Sequence, residues 1–277
     1  MQNKHSASEL RRKAQMARKL TLQSVYEAGS GHIGGALSAI DILIYIYATQ
    51  VDLNLNKNER NIFILSKGHA APGLYACLAV ENYIDRDELS TLRQIGSRLQ
   101  GHPDATRLPI LDAGTGALGQ GLSISIGYAL AKKMKGKKNR VFCMLGDGEL
   151  QEGQIWEAAM YAGSQNLGNL VAIVDNNKLQ NEVSVEDTLS LGDLRAKWRS
   201  FGWDVETIDG HDFSQIENSF AAETNSSPNG KPKVIIANTI KGKGVSFMEG
   251  NNQWHSRCPS SSELKQALSE IDALTLV

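Results

Sequence analysis

Residues 141–177 read VFCMLGDGELQEGQIWEAAMYAGSQNLGNLVAIVDNN, and their pattern decides the fold. Val141 to Leu145 and Leu170 to Asp175 are short apolar runs bounded by turn residues, as strands buried on both faces should be. Gly153 to Ala162, between them, carries a helical pattern. Strand, crossover helix and strand make a β-α-β unit, which requires a parallel sheet. Ligands of such sheets gather at the carboxyl ends of the strands. Gly146-Asp147-Gly148 directly follows the first strand and Asn176-Asn177 the second, so both motifs begin where a site belongs.

The alternation extends outward from this unit. Upstream, Ser8 to Glu27 has helical spacing and stops at Gly29-Ser30-Gly31, and a second helix is expected from Ala36 to Ala48. Ile62 to Leu65 is a buried-strand run, followed by a helix from Pro72, a capped surface helix over Asp85 to Ile95, a glycine-rich turn from Asp112 to Ala117, and a helix from Leu118 to Met134 ended by a solvated basic loop, Lys135 to Arg140. Downstream, helices are expected at Asp193 to Gly202, Phe213 to Glu223 and Ser262 to Leu274, strands at Asp204 to Ile208 and Val234 to Asn238, and an exposed loop at Asn225 to Lys233. Composition shows no break, repeat or low-complexity tract. The expectation is one doubly wound α/β domain over residues 1–277, a mostly parallel sheet with helices on both faces.

Composition narrows the function classes. The 29 Lys+Arg and 30 Asp+Glu nearly cancel, so bulk charge gives no reason to expect a nucleic-acid partner, and 41% hydrophobic residues in 277 suit a large core. The three cysteines, Cys77, Cys143 and Cys258, fit neither a disulfide framework nor paired zinc ligands, which leads to the expectation of a reduced, cytoplasmic home. The basic start (residues 1–20) lacks an apolar core, and Ile40 to Ala48 is far short of the roughly 20 residues of a membrane span. No membrane partner is expected. Glycine is enriched, at 26 residues, and clusters beside histidines and acids, which brings backbone close to a ligand.

Asp147 and Asn177 would meet at the sheet's carboxyl edge, offering one carboxylate and one amide oxygen. A Mg2+ ion takes few oxygens from protein and completes its shell with phosphate and water, and Gly148 can offer its N–H to an anion. Singly, an aspartate capping a helix and an asparagine pair making a turn are the ordinary accounts; together the motifs are far more specific. Four of the six histidines, His32, His69, His102 and His211, each follow a glycine. As a set they favour a cleft binding a phosphate or polyol, although for each alone a structural turn histidine is the usual reading. None has zinc-ligand spacing. Gly114-Thr115-Gly116-Ala117-Leu118-Gly119-Gln120-Gly121 enters a helix but matches neither the dinucleotide nor the Walker fingerprint.

Taken together, SGHIGGALSAID, LSKGHAAPGLY, GHPD, GTGALGQGLS, GDGELQEGQIWEAA, VDNNKLQ, DGHD and TIKGKG resemble, in order and over roughly Glu9 to His255, the amino-terminal diphosphate-binding part of transketolase. GDG with NN marks only the wider thiamine-diphosphate superfamily; GHP and LGQG point to transketolase rather than deoxyxylulose-phosphate synthase or a pyruvate dehydrogenase component. The resemblance implies thiamine diphosphate and Mg2+ as cofactors. By it, Asp147, Asn177 and the Leu179 carbonyl hold the metal, His69 and Gly148 contact the diphosphate, and Gly116 and Leu118 lie along the aminopyrimidine. His32 and His102 match histidines at the sugar donor's hydroxyls, His255 one near diphosphate and substrate, and Glu152 an acid of the network linking active sites. For Glu152 a helix-start carboxylate, and for His255 a surface loop position beside Trp254, stay open as structural readings.

Departures from the family are Ala117, where long transketolases often have proline, and Ser256-Arg257-Cys258-Pro259, where relatives have a glycine and small residues. The chain also stops where the pyrimidine-binding domain would begin. The resemblance therefore implies the amino-terminal subunit of a split transketolase, moving a two-carbon ketol unit from a ketose or ketose phosphate to an aldose. It would act only with a separate C-terminal transketolase subunit that supplies the pyrimidine-binding and C-terminal domains, two copies of each forming an A2B2 heterotetramer. The alternatives are a ketol transferase for an unusual sugar, branched or sulfonated, and a noncatalytic cofactor-binding or regulatory paralogue.

Overall fold

The computed structural model describes residues 5–181, 183–221 and 230–274. Its centre is a five-stranded, wholly parallel sheet in the order β1-β2-β3-β5-β4, built from β1 (Ile62–Leu65), β2 (Val141–Gly146), β3 (Leu170–Asn176), β4 (Asp204–Asp209) and β5 (Lys233–Asn238). The helices are α1 (Ala7–Ala28), α2 (Ile33–Tyr45), α3 (Ala71–Val80), α4 (Gln120–Met134), α5 (Gly153–Ser164), α6 (Val185–Thr188), α7 (Leu194–Ser200), α8 (Phe213–Ala221) and α9 (Ser261–Ala273).

Because successive strand side chains point to opposite faces, the sheet divides the core in two. Phe63, Leu65, Phe142, Met144, Ile173 and Ile235 join one cluster with α1, α2, α3, α8 and α9. Ile64, Cys143, Leu145, Ala172, Val174 and Ile236 join the other with α4, α5 and α7. Helices thus cover both faces, as a doubly wound sheet requires, and β1, β2 and β3 are buried throughout. Edge strand β4 is half exposed.

Several element boundaries differ from expectation for identifiable reasons. Helix α2 starts at Ile33, not Ala36, because Gly34 and Gly35 lie within its first turn as close-approach residues. A Cβ at Gly34 would sit 2.8 Å from the Trp254 carbonyl, and one at Gly35 3.5 Å from His69 Nε2. The helix runs on through a π-helical turn, Ile46–Gln50. Ile33–Gln50 is long and apolar enough to cross a membrane, but 83% of it is buried inside the structure, as a core helix packed against α1, α3 and α8.

The surface helix expected at Asp85 to Ile95 does not form. Asp87–Thr91 is a short 3-10 turn, and Arg93 then adopts a left-handed backbone (φ 60°) that a helix cannot continue through. Helix α4 starts two residues late because Gly119 is left-handed (φ 87°). Helix α7 is capped by Asp193, whose side chain accepts from the Ala196 N–H, and α9 by a capping box of Ser260 and Glu263. The expected end of α8 beyond Ala221, and residues 225–229 of the expected loop, lie outside the described residues.

Buried ion pairs tie the layers together. Arg60 grips Asp112 with two hydrogen bonds (2.9 and 2.8 Å), anchoring the start of β1 to the segment that leads into the glycine-rich turn. Arg18 of α1 likewise pairs with Asp41 of α2. All three cysteines are free thiols, two of them buried.

Candidate active site

A cavity of about 440 Å³ opens at the carboxyl edge of the sheet. Its floor comes from the loops after β1, β2, β3 and β5, and one wall from the amino end of α2, where the fold places ligands of parallel sheets. His32, His69, His102, Gly116, Leu118, Asp147, Gly148, Glu152, Asn177, Leu179 and His255 all line it. Residues scattered over the whole chain are thus brought to one place.

The loops after β2 and β3 are locked to each other. Asp147 accepts from the N–H of Gly148 (2.8 Å) and from that of Lys178, and Lys178 reaches it through a left-handed backbone (φ 68°). Asn177 folds the next turn by accepting from the Leu179 N–H (3.1 Å). Asp147 is 3% exposed, yet among the described residues it has no ion-pair partner. Burial and the neighbouring Asp175 charge push its carboxyl up to about 6. Among the described residues, no hydrogen bond reaches the Leu179 carbonyl, although that residue also lines the cavity. A buried carboxylate without a counter-ion, an amide oxygen and an unengaged carbonyl suit a hard cation. The groups fit Mg2+ by chemistry and burial.

Two lysines that lie within the quoted motifs, and to which the sequence assigns no role, stand beside these oxygens. Lys67 is buried, donates to the Gly35 carbonyl (2.9 Å) and pairs with Asp175, which also accepts from Ser38 (2.6 Å) and Thr239. Lys241 is 1% exposed and has no carboxylate partner among the described residues. It donates to the Gln180 carbonyl (3.1 Å) and faces His255 Nδ1 at 3.0 Å. Burial and the Lys67 charge lower it to about 8, against the opposing pull of Asp147 and Asp175. The usable signal is position: each lysine follows the carboxyl end of a parallel strand. Glu149, which sequence reasoning also misses, is a buried latch that accepts from Ser66 (2.5 Å), Gly119 N–H (2.8 Å) and Gly146 N–H (3.0 Å), tying the glycine-rich turn to the loops after β1 and β2.

The imidazoles form a cluster. His32 lies 5.3 Å from His69, 5.3 Å from His255 and 6.2 Å from His102, ring centre to ring centre. Burial first, then neighbouring positive charge, lowers His32 to about 4 and His255 to about 3 and holds His69 well below its ordinary value. These rings are neutral at physiological pH, each with one N–H and one lone pair. Because the Lys241 ammonium donates to Nδ1 of His255, that ring carries its proton on Nε2. The unusual residues after His255 leave its ring in the cavity, and outside the cavity lining Arg257 stacks 4.3 Å over Trp254.

Two expectations divide here. His211, grouped by sequence with the other Gly-His histidines, is elsewhere: it bonds Asp41 through Nδ1 (2.6 Å) and accepts the Ile240 N–H at Nε2 (2.9 Å), a structural role. Glu152 occupies the N-cap position of α5 but caps no N–H, and its exposed side chain lies on the cavity rim.

Comparison with known proteins places the chain in a family. The family described as "Transketolase, thiamine diphosphate binding domain" matches residues 10–271. The chain is 41% identical to the 6-deoxy-6-sulfo-D-fructose transketolase subunit SqwG of Clostridium sp. (strain MSTE9), over 95% of this chain and 96% of the relative. It is 40% identical to one of the subunits of the apulose-4-phosphate transketolase of Actinobacillus succinogenes, over 96% and 97%. Human transketolase is 36% identical over 91% of this chain, which spans only 40% of that relative. Among solved structures, Campylobacter jejuni transketolase superposes with a TM-score of 0.86 at 29% identity, covering 97% of this chain and 44% of that one.

Proposed function

Since the chain belongs to the transketolase thiamine-diphosphate-binding family and is a transketolase enzyme subunit, we propose that it is the amino-terminal subunit of a split transketolase. In this reading it binds thiamine diphosphate through Mg2+ and is active only with a separate C-terminal subunit that carries the pyrimidine-binding and C-terminal domains. The observation that carries the reading is the meeting of Asp147, Asn177 and the Leu179 carbonyl, unengaged among the described residues, with Lys241 and four imidazoles in one cavity. Asp147, Asn177 and Leu179 hold the metal, and His69, Gly148 and Lys241 receive the diphosphate. A Cβ at Gly148 would come 2.9 Å from the Gln180 side chain, so glycine lets the loops after β2 and β3 close together at the cavity. Gly116 and Leu118 lie along the aminopyrimidine.

Thiamine diphosphate, when bound, supplies the nucleophilic carbon that takes up the two-carbon ketol unit. The protein's task is to orient and to exclude water. His32 and His102, being neutral, each offer one donor and one acceptor, which matches the alternating hydroxyls of a sugar. His255 donates from Nε2. The donor is a ketose bearing an anionic group, phosphate or sulfonate, in keeping with the substrates for which the split relatives are named. The exposure of His102 and Glu152 supports a site finished by a second polypeptide, in an A2B2 assembly.

Calorimetric titration of thiamine diphosphate into this chain, with and without Mg2+ and with and without the C-terminal subunit, tests the reading. Metal-dependent binding that tightens on adding the second polypeptide is the expected result. Absence of binding in every mixture overturns it.

A further inference from the structure

His102 stands at the mouth of the cavity on an exposed loop, and three contacts hold that loop. Tyr75 Oη donates to the carbonyls of Gln100 (3.0 Å) and His102 (3.3 Å), and the Thr115 N–H donates to Pro103 (3.1 Å). Gly116 lies behind the ring, where a Cβ would be 3.6 Å from His102 Cγ. Arg93 lies against the same loop. A Cβ at Gly101 would sit 2.9 Å from Arg93 Nε, 3.2 Å from Nη2 and 3.3 Å from Cζ, so the guanidinium lies against the residue just before the histidine.

The placement of Arg93 is not a default of the chain. Its backbone is left-handed (φ 60°), a conformation uncommon outside glycine, asparagine and aspartate, and its N–H donates to Leu99 (2.8 Å) to close the loop. Among the described residues its side chain has no ion-pair partner. The nearby acids are occupied elsewhere: Glu88 pairs with Arg98, and Asp104 bonds Thr106 and pairs with Arg107.

We propose that Arg93 is a positioning residue for His102, its guanidinium seated on Gly101 so that the imidazole is fixed at the cavity mouth. The charged and titratable groups facing His102 are Arg93 from its own loop, His32 from the start of α2 and His69 from the loop after β1. Burial first, and then Arg93, hold His102 below its ordinary value. A side chain at 101 would have to displace the guanidinium, which makes Gly101→Ala a second probe of the same contact. The part of the inference that concerns turnover rests on the ketol-transfer reading; the contact itself does not.

The test compares Arg93→Met, Arg93→Lys and Gly101→Ala in the full chain by NMR titration of the histidines, and in the complex with the C-terminal subunit by steady-state kinetics. In Arg93→Met and Gly101→Ala alike, the His102 resonance should titrate at higher pH than in the wild type, while His69 is unmoved. Arg93→Lys keeps the charge but loses the plane, so it should keep most of the His102 titration. In the complex, kcat should fall on the order of tenfold to a hundredfold for all three variants, with cofactor affinity unchanged. A wild-type His102 titration in both Arg93→Met and Gly101→Ala overturns the proposal. If the wild-type complex shows no ketol transfer, the activity reading fails and the NMR comparison still decides the role of Arg93.

Discussion

Helix α2 touches two buried polar clusters that are built in opposite ways. Midway along it, Asp41 is met by Arg18 (3.0 Å at Oδ1) and by Nδ1 of His211 (2.6 Å), whose other nitrogen is taken by Ile240. Burial raises the Asp41 carboxyl, but Arg18 and these hydrogen bonds outweigh it and bring it down to about 2. Around the amino end of α2, by contrast, Asp147 has no counter-ion among the described residues and is pushed up to about 6, and Lys241 lacks a carboxylate among them and is lowered to about 8. One cluster is satisfied by the chain. The other leaves its charge and lone pairs to be met by something else, which is what distinguishes a binding site from a structural rivet.

That contrast can be broken most directly by removing one charge from each side. Arg18→Met strands a buried carboxylate and should cost about 3–5 kcal/mol in urea unfolding. Asp147→Asn in the metal-free chain should instead stabilise at neutral pH, while abolishing Mg2+-dependent binding of thiamine diphosphate. Equal destabilisation by the two substitutions would erase the distinction.

The pH dependence should also differ in sign. Asp147 titrates in the folded chain at about 6, above its ordinary 3.8, so its contribution to stability is complete below about pH 4 and is lost as pH rises through 6, by about 3 kcal/mol. Asp41, at about 2 against 3.8, contributes stability that is complete above about pH 4 and is lost as pH falls through 2, by about 2 kcal/mol. Urea midpoints of wild type, Asp147→Asn and Asp41→Asn across that range separate the two; an Asp147→Asn profile superimposable on wild type between pH 4 and 7 would refute the first assignment. The smallest effect concerns the histidines. His211→Gln should lower stability by about 1 kcal/mol and leave cofactor affinity alone, whereas His69→Gln should weaken cofactor binding with little change in stability.

These differences mark what can be read from the sequence. The buried strands are legible because a parallel strand covered on both faces is apolar at every position, as in Val141 to Leu145 and Leu170 to Asp175. Asp147 and Asn177 are legible because topology places both at one sheet edge. His211 is not separable from His32, His69 and His102, since a glycine before a histidine encodes a loop and not what the loop faces. Lys67 and Lys241 escape notice because a lysine reads as surface until the fold buries it. The helix expected at Asp85 to Ile95 fails on the left-handed backbone at Arg93, which no periodicity reveals. Gly34 and Gly35 serve close approach within a helix, which is visible only once Trp254, Lys67 and His69 are in place.

The strand order has a consequence for how the chain is made. Strand β1 pairs with β2 alone, Ile62 with Val141, so the first strand has no partner until everything between Leu65 and Val141 has been synthesised. At about 5–20 residues per second, that is a wait of several seconds on the ribosome. During it α2, whose apolar surface the finished sheet helps to cover, has only α1 and α3 for shelter. The nascent amino-terminal third is therefore the stretch most exposed to chaperone capture and aggregation, and synthesis slowed between residues 65 and 141 should lower the soluble yield more than slowing after residue 176.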